Sequence, residues 1–179
     1  MQRESQIVEE HMVGTGGKRN LLVLCTGNSA RSIMAEAVFN HFAGRYFKAF
    51  SAGSTPTGRV NPLALECIAR FSEETSSYRS KDWREFASPD APTLDLLLTV
   101  CDNAAKEVCP LLPGNLPHVH WGFADPTAVN GDIEQARGAF DHCFNAIRSR
   151  VEALIHLPLD LYSTKRLARL MEGYAPGKN

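Results

Sequence analysis

The sequence predicts an α/β fold in which a four-stranded parallel sheet is flanked by helices on both faces. Short apolar runs typical of buried strands alternate along the chain with segments whose apolar residues recur at helical spacing. Such alternation indicates a parallel sheet, because each parallel connection needs a crossover of helical length. The length of 179 residues and the hydrophobic content of 44% suit one core. A single domain is therefore expected, with a ligand site at the carboxyl ends of the strands.

The first half of the chain is predicted to contain two strands and two helices. Residues 20–24 form an apolar run typical of a buried strand, and a helix follows from within residues 29–32. Residues 47–51 form the second strand. Asn61 and Pro62 predict the start of another helix, since asparagine is a good N-cap and proline fits the first helical position. The face of this helix that we expect to be buried carries Leu63, Cys67 and Phe71.

The second half supplies the other two strands and a long helix. Residues 81–86 are predicted to be a short helix, residues 94–100 the third strand and residues 118–121 the fourth. The long helix is expected over residues 133–155. Its predicted buried stripe consists of Ala136, Phe140, Cys143, Ile147, Val151 and Leu154.

Composition divides the chain into a central domain and two flanking segments. Residues 1–17 are polar and glycine-rich at their end, and they are predicted to be a flexible tail. Residues 18–157 form the α/β domain. Residues 158–179 are expected to be a helical extension, whose amphipathic pattern comes from Leu161, Lys165, Leu167 and Leu170.

Charge and cysteine content exclude several classes of protein. The net charge of -1, from 19 basic and 20 acidic side chains, leaves no basic footprint for nucleic acid or an anionic membrane. No apolar run reaches the roughly 18 residues that a membrane span requires. An odd number of cysteines, five, without a leader predicts reduced thiols and a cytoplasmic location.

The loop after the first strand places a thiol and a guanidinium at its two ends. Cys25 ends the strand, and Arg31 lies where the next helix begins. Small residues between them allow backbone N–H groups to turn inward as an anion nest, and Arg31 adds a fork for two oxygens. The same field is expected to favour the thiolate of Cys25. The predicted oxyanion-binding residues are Thr26, Gly27, Asn28, Ser29, Ala30, Arg31 and Ser32. The alternative is a structural cysteine beside an unrelated surface arginine.

Residues 25–37 resemble the phosphate loop of the low-molecular-weight tyrosine phosphatase superfamily, and more closely that of its arsenate reductase branch. Residues 51–53, 99–105 and 120–126 match the same branch in the same order, as does the Cys109-Pro110 pair. The resemblance implies a phosphatase-like fold and reduction of arsenate to arsenite through a Cys25 adduct.

Asp125 is the candidate general acid, in a loop that Pro126 restricts. Asp-Pro is also a common turn dipeptide, so Asp125 could simply accept local N–H groups. The resemblance favours the acid, which would protonate the oxygen that leaves as Cys25 attacks.

The presence of Cys101 and Cys109 distinguishes a reductase from a phosphatase, because only a reductase must supply electrons to its substrate. If the segment between them is helical, their Cα atoms lie about 12 Å apart, whereas a disulfide needs roughly 4.4 to 6.8 Å. Oxidation would therefore unwind the segment. Alternatively, both are small packed hydrophobes. Their interval looks one residue longer than in related reductases, so either Cys109 or an external thiol could complete the cycle. Cys67 and Cys143 lie on apolar helix stripes and are predicted core residues.

No bound cofactor is predicted, and the expected electron donor is thioredoxin or glutathione with glutaredoxin. The resemblance also implies that Glu36 and Ser51 support the loop together with Asn28 and Ser32, and Lys81 is predicted to join them. Alternatively, Glu36 is an ordinary acid on the helix surface and Lys81 a solvated lysine. Some related reductases hold potassium there, with an aspartate at the position of Lys81, so a lysine ammonium could replace the ion. We therefore predict no metal. His118 and His120 have no clustered partner in the sequence, which argues against zinc.

Three functions are compatible with these residues. The first is an arsenate reductase with a cysteine relay. The second is a low-molecular-weight protein tyrosine or aryl phosphomonoester phosphatase, although Thr127 stands where those phosphatases usually have an aromatic residue. The third is an oxyanion-binding or thiol-sensing module without turnover.

Overall fold

Four parallel strands form the sheet in the order β2-β1-β3-β4, in a computed structural model that describes residues 17–107 and 115–174. The predicted fold class is confirmed. The central strand β1 has six buried residues of seven, as expected where a parallel sheet is covered on both faces. The strands are β1 (Arg19–Cys25), β2 (Phe47–Gly53), β3 (Leu96–Thr99) and β4 (His118–His120).

Five α-helices and three short 3-10 helices connect and cover these strands in the described residues. Asn61 caps the second helix as predicted, since its side chain accepts the Leu63 N–H at 2.9 Å. Asp132 and Gln135 form a capping box at the start of the long helix, whose predicted bounds are confirmed. The α-helices are α1 (Arg31–Phe42), α2 (Pro62–Ala69), α3 (Asp102–Glu107), α4 (Ile133–Ile155) and α5 (Thr164–Gly173). The 3-10 helices are Trp83–Ala87, Pro126–Ala128 and Leu159–Leu161.

Three local predictions are wrong. Lys81 is not helical, because Asp82 makes a parallel bridge with Gly53 and caps the 3-10 helix that follows. Phe71 lies beyond the end of α2, whose buried residues are Ala64, Cys67 and Ile68. Leu161 is 65% exposed, so it does not belong to the buried face of the C-terminal helix.

The helix α5 covers the edge strand β4. Its buried residues are Leu167, Ala168 and Met171. The Trp121 indole N–H donates to the Met171 carbonyl at 2.8 Å, and the His120 N–H donates to the Glu172 carboxylate at 2.8 Å. The C-terminal helix thus satisfies a backbone donor at the edge of the sheet.

The sheet order decides which side chains meet at the carboxyl edge. Strands β1 and β3 are neighbours with Leu24 opposite Thr99. Cys25, the last residue of β1, and Cys101, two residues beyond the end of β3, therefore lie at the same edge of the sheet, where adjacent parallel strands are separated by about 4.8 Å. Cys109 and residues 1–16 of the predicted tail lie outside the described residues.

Candidate active site

Asn28 organises the loop between β1 and α1. It has a positive φ of 43°, a conformation that asparagine adopts more readily than most residues. Its buried amide donates to Ser32 Oγ at 2.8 Å and to Ser51 Oγ at 2.9 Å. Its oxygen accepts the Lys81 N–H at 2.8 Å. One side chain thus joins the loop to β2 and to the segment that contains Lys81.

The thiol of Cys25 lies at the base of this loop and is only 3% exposed. Its sulfur accepts the Asn28 N–H at 3.2 Å and lies 2.9 Å from Ser32 Oγ. Burial raises the pKa of the Cys25 thiol, and these two hydrogen bonds oppose the increase only in part. The expectation of a lowered pKa is therefore wrong for Cys25, because removal from water outweighs the donors around the sulfur.

Because the pKa of Cys25 is raised, the reactivity of its thiol is expected to increase with pH. A raised pKa means that the thiolate fraction, and hence the rate of alkylation by iodoacetamide, increases as the pH rises above neutrality. In Ser32→Ala one thiolate-stabilising hydrogen bond is lost, so the midpoint should move to still higher pH. Rates at Cys25 are measured by mass spectrometry between pH 6 and 10. Ser88→Ala, an exposed site, is the control, and an unchanged midpoint in Ser32→Ala would contradict this account.

Arg31 and Asp125 form an ion pair across the mouth of the site. Arg31 Nη2 lies 2.9 Å from Asp125 Oδ2, and Nη1 donates to the Phe123 carbonyl at 3.1 Å. The other carboxylate oxygen, Oδ1, accepts the Thr127 N–H at 3.0 Å and its hydroxyl at 2.8 Å. Asp125 therefore makes the local turn contacts that the alternative interpretation expected, and it also faces the anion-binding arginine.

A cavity of about 570 Å³ brings the candidate groups together. Cys25, Arg31, Cys101 and Asp125 all line it, as do the loop residues Thr26, Gly27, Ser29 and Ala30. Its remaining walls come from Thr57, Asp102, Asn103, Phe123, Ala124 and Thr127. The space is larger than one tetrahedral oxyanion needs. Both thiols therefore line the same cavity.

Cys101 is held at the start of α3, where it is 4% exposed. Its sulfur accepts the Ala104 N–H at 3.4 Å and lies 3.5 Å from the hydroxyl of Thr26, the residue after Cys25. The second thiol thus lies against the residue that follows Cys25 in the loop.

Glu36, Ser51 and Lys81 form a cluster behind the loop. Lys81 Nζ lies 3.6 Å from Glu36 Oε2 and 3.5 Å from Ser51 Oγ, and the Ser51 hydroxyl donates to Glu36. Burial lowers the pKa of Lys81 and raises that of Glu36, and the attraction between their charges opposes both changes. The ammonium therefore supplies a positive charge beside the loop. Among the described residues, no three acidic, histidine or cysteine side chains gather as a candidate metal site.

Removal of the Lys81 charge should destabilise the fold in a pH-dependent manner. Lys81→Met leaves the carboxylate of Glu36 buried without its partner, at a cost of about 3 kcal/mol near pH 8. A carboxyl group whose folded-state pKa is raised adds stability at low pH and loses it as the pH rises through that pKa. The variant should therefore recover stability between pH 8 and pH 5. Urea unfolding measures this, with the exposed Lys165→Met as control, and an equal loss at both pH values would contradict it.

Some contributors to the site were not identified from the sequence. A Cβ atom at Gly53 would lie 2.5 Å from the Thr26 carbonyl, so only glycine lets β2 pass so close to the loop. The Phe123 carbonyl, a partner of Arg31, carries no sequence signal at all. Cys67 and Cys143 lie in the core as predicted, and burial raises their pKa values to about 11 and about 12.

A thiol at the base of a loop of backbone N–H groups, with an arginine and a carboxyl group facing it, is typical of enzymes that attack tetrahedral oxyanions through sulfur. The chain belongs to the family described as low molecular weight phosphotyrosine protein phosphatase, whose pattern matches residues 20–169.

Relatives within this family include arsenate reductases. The protein named arsenate reductase from Halalkalibacterium halodurans is 35% identical over 139 residues, which cover 75% of this chain and 94% of that protein. A crystal structure of an arsenate reductase from Archaeoglobus fulgidus has a TM-score of 0.59 at 28% identity, and the match covers 76% of this chain and 99% of that one.

The fold is also that of phosphatases in the family. A low molecular weight phosphotyrosine phosphatase from Vibrio cholerae has a TM-score of 0.60 at 18% identity, and the match covers 77% of this chain and 95% of that one. At this identity the similarity concerns the fold alone. None of the helices formed by residues 17–107 and 115–174 is long and apolar enough to span a membrane.

Proposed function

We propose that this protein is an arsenate reductase, which converts arsenate to arsenite with electrons from its own thiols. The observation that carries the proposal is the presence of Cys25 and Cys101 in one cavity with Arg31 and Asp125. The naming of relatives at 32 to 39% identity as arsenate reductases supports the same substrate.

In the first step, the loop captures arsenate. The backbone N–H groups and Arg31 bind the oxyanion, which takes the place of the Asp125 carboxylate on the guanidinium. The Cys25 thiolate then forms a bond to arsenic while one oxygen leaves. The oxygen that leaves is a hydroxyl of arsenate, and Asp125, when protonated, gives it the second proton with which it departs as water.

In the second step, Cys101 supplies the route for reduction. Its thiolate attacks the sulfur of Cys25, a disulfide bond forms, and the sulfur–arsenic bond breaks with its electron pair passing to arsenic. Arsenic falls from As(V) to As(III) and leaves as arsenite, while the two cysteines lose the two electrons. Cys25 ends β1 and Cys101 lies two residues beyond the end of the adjacent strand β3, so both thiols stand at the same edge of the sheet.

Regeneration requires an external dithiol or two monothiols. Either Cys109 or the donor itself attacks Cys101, and the donor, thioredoxin or glutathione with glutaredoxin, finally takes up the disulfide. The proposal includes a cytoplasmic location, because a reducing compartment keeps these thiols reduced. It includes no bound cofactor or metal, since Lys81 supplies the charge beside the loop.

A phosphatase is the second candidate, because Cys25, Arg31 and Asp125 suffice for a phosphoryl-cysteine intermediate that water resolves. Thr127 weakens this candidate. Its hydroxyl and N–H are both bound to Asp125, and no aromatic ring stands at that position to hold a phenol.

The deciding experiment measures arsenate-dependent NADPH oxidation, first with thioredoxin and its reductase and then with glutathione, glutaredoxin and glutathione reductase. Cys25→Ser is the blank. Turnover with thioredoxin supports the complete relay with Cys109, and turnover only with glutathione assigns the last step to the external thiol. Hydrolysis of p-nitrophenyl phosphate without either turnover would replace the proposal by the phosphatase.

A further inference from the structure

A chain of hydrogen bonds links the edge strand β4 to the start of α3. The Thr99 hydroxyl lies 2.8 Å from His118 Nε2 and 2.8 Å from His120 Nδ1. The other ring nitrogen of His120, Nε2, lies 3.1 Å from Asp102 Oδ1. Asp102 follows Cys101 directly and lines the active-site cavity. The chain therefore ends one residue from the second thiol.

The proton positions along this chain are mutually consistent. Burial lowers the pKa of His118, which favours its neutral form. If His118 Nε2–H donates to the Thr99 hydroxyl, that hydroxyl can donate to His120 Nδ1, and His120 Nε2–H then donates to the Asp102 carboxylate. Every donor meets one acceptor. The ring orientation of His120 is thus fixed by Thr99 of β3 and His118 of β4 as well as by Asp102.

One further contact and one small residue give His120 a fixed position. Its backbone N–H is bound by Glu172 of α5 at 2.8 Å. Gly122 leaves the space for its contact with Asp102, because a Cβ atom there would lie 2.9 Å from Asp102 Oδ1 and 3.1 Å from His120 Nε2.

The start of α3 is anchored in the core by Cys101 and Ala104, which are 4% and 0% exposed. The structure describes this helix over Asp102–Glu107. The Asp102 side chain is 79% exposed, so burial does not fix it. The sulfur of Cys101 depends on this helix start, since it accepts the Ala104 N–H. The hydrogen bond from His120 to Asp102 adds a side-chain restraint on the exposed side of this helix start, next to the second thiol.

We propose that His120 is a positioning residue for the second thiol: through Asp102 it fixes the start of α3 and directs Cys101 towards Cys25. The inference rests on the proposed function, in which Cys101 attacks the Cys25 sulfur. His120 touches neither substrate nor thiol, so it affects the electron-transfer step and not the capture of arsenate.

The test compares His120→Ala with His120→Gln, whose side-chain amide can still donate to Asp102. Steady-state arsenate reduction should show kcat lowered about tenfold in His120→Ala, as for the loss of one hydrogen bond to a charged group, with KM for arsenate unchanged. His120→Gln should restore most of kcat. His142→Ala, an exposed histidine on α4, is the control. Equal losses in the alanine and glutamine variants would overturn the proposal.

A second readout does not depend on arsenate. In a Cys25→Ser background, alkylation of Cys101 by iodoacetamide should be several-fold faster with His120→Ala, because the released helix start exposes the thiol. Unchanged alkylation would overturn the positioning role even if the protein reduced no arsenate. If the wild-type protein reduces no arsenate but His120→Ala still speeds alkylation of Cys101, the proposed function is wrong and the positioning role of His120 is supported.

A double-mutant cycle separates a specific tether from general loosening. Asp102→Ala should produce the same increase in Cys101 alkylation, and addition of His120→Ala to it should change little more. Additive effects of the two substitutions would mean that His120 acts elsewhere in the fold, and would overturn the proposal.

Discussion

Replacement of Cys101 by serine is expected to stop turnover of arsenate while the protein still captures the anion. A serine hydroxyl cannot form the disulfide through which arsenic receives its electrons, so steady-state reduction should fall by about a thousandfold or more, to the level of the Cys25→Ser blank. The loop and Arg31 are unchanged. Arsenate should therefore still protect Cys25 from alkylation in the variant.

Cys67→Ser is the matched control for this experiment. Cys67 is also buried, but its thiol points to Asp141 Oδ1 at 3.6 Å, where a hydroxyl can make the same contact. Turnover in Cys67→Ser should stay within a few-fold of wild type. Full turnover in Cys101→Ser would show that water or an external thiol resolves the Cys25 adduct, and the relay would have to be abandoned.

Asp125→Asn is expected to lower kcat for arsenate by about 10² to 10⁴-fold, the usual contribution of a general acid. Asparagine keeps the oxygen that accepts the Thr127 N–H and hydroxyl, so the turn should survive. It cannot give a proton to the leaving oxygen. Measurement of kcat together with thermal unfolding separates the two roles of Asp125.

The outcomes are distinct. A large fall in kcat with an unchanged melting temperature assigns the proton to Asp125. Turnover close to wild type would mean that the carboxylate serves only the turn and the Arg31 pair, and the leaving oxygen would then have to receive its proton from solvent.

Local patterns predicted those features whose causes are local. The long helix follows from an apolar stripe whose residues lie three or four positions apart, and its predicted bounds are confirmed, although Ala136 of the predicted stripe is only half-buried and Phe144 joins the buried face. The same holds for Asn61 at the start of α2, where the side chain binds an N–H two residues later. The strand that ends at Cys25 and the helix that begins near Arg31 then placed both residues on the loop between them.

The features that could not be predicted depend on burial or on contacts between distant segments. The pKa of Cys25 is raised because the sheet and helices exclude water from the sulfur, which no sequence spacing measures. The bridge between Gly53 and Asp82 draws the Lys81 segment out of a helical conformation. The contact of His120 with Asp102 joins residues that are 18 positions apart, a separation that no local sequence pattern reports.

The burial of Cys25 also bears on how long the protein survives under oxidative stress. A protonated thiol with 3% of its surface exposed reacts slowly with peroxide, because the thiolate is the species that is oxidised. The sulfur lines the cavity together with the loop residues and Arg31, so it is approached from the side that binds an anion. The same packing that slows the resting nucleophile thus protects it from irreversible sulfinic and sulfonic acid damage between encounters with its substrate.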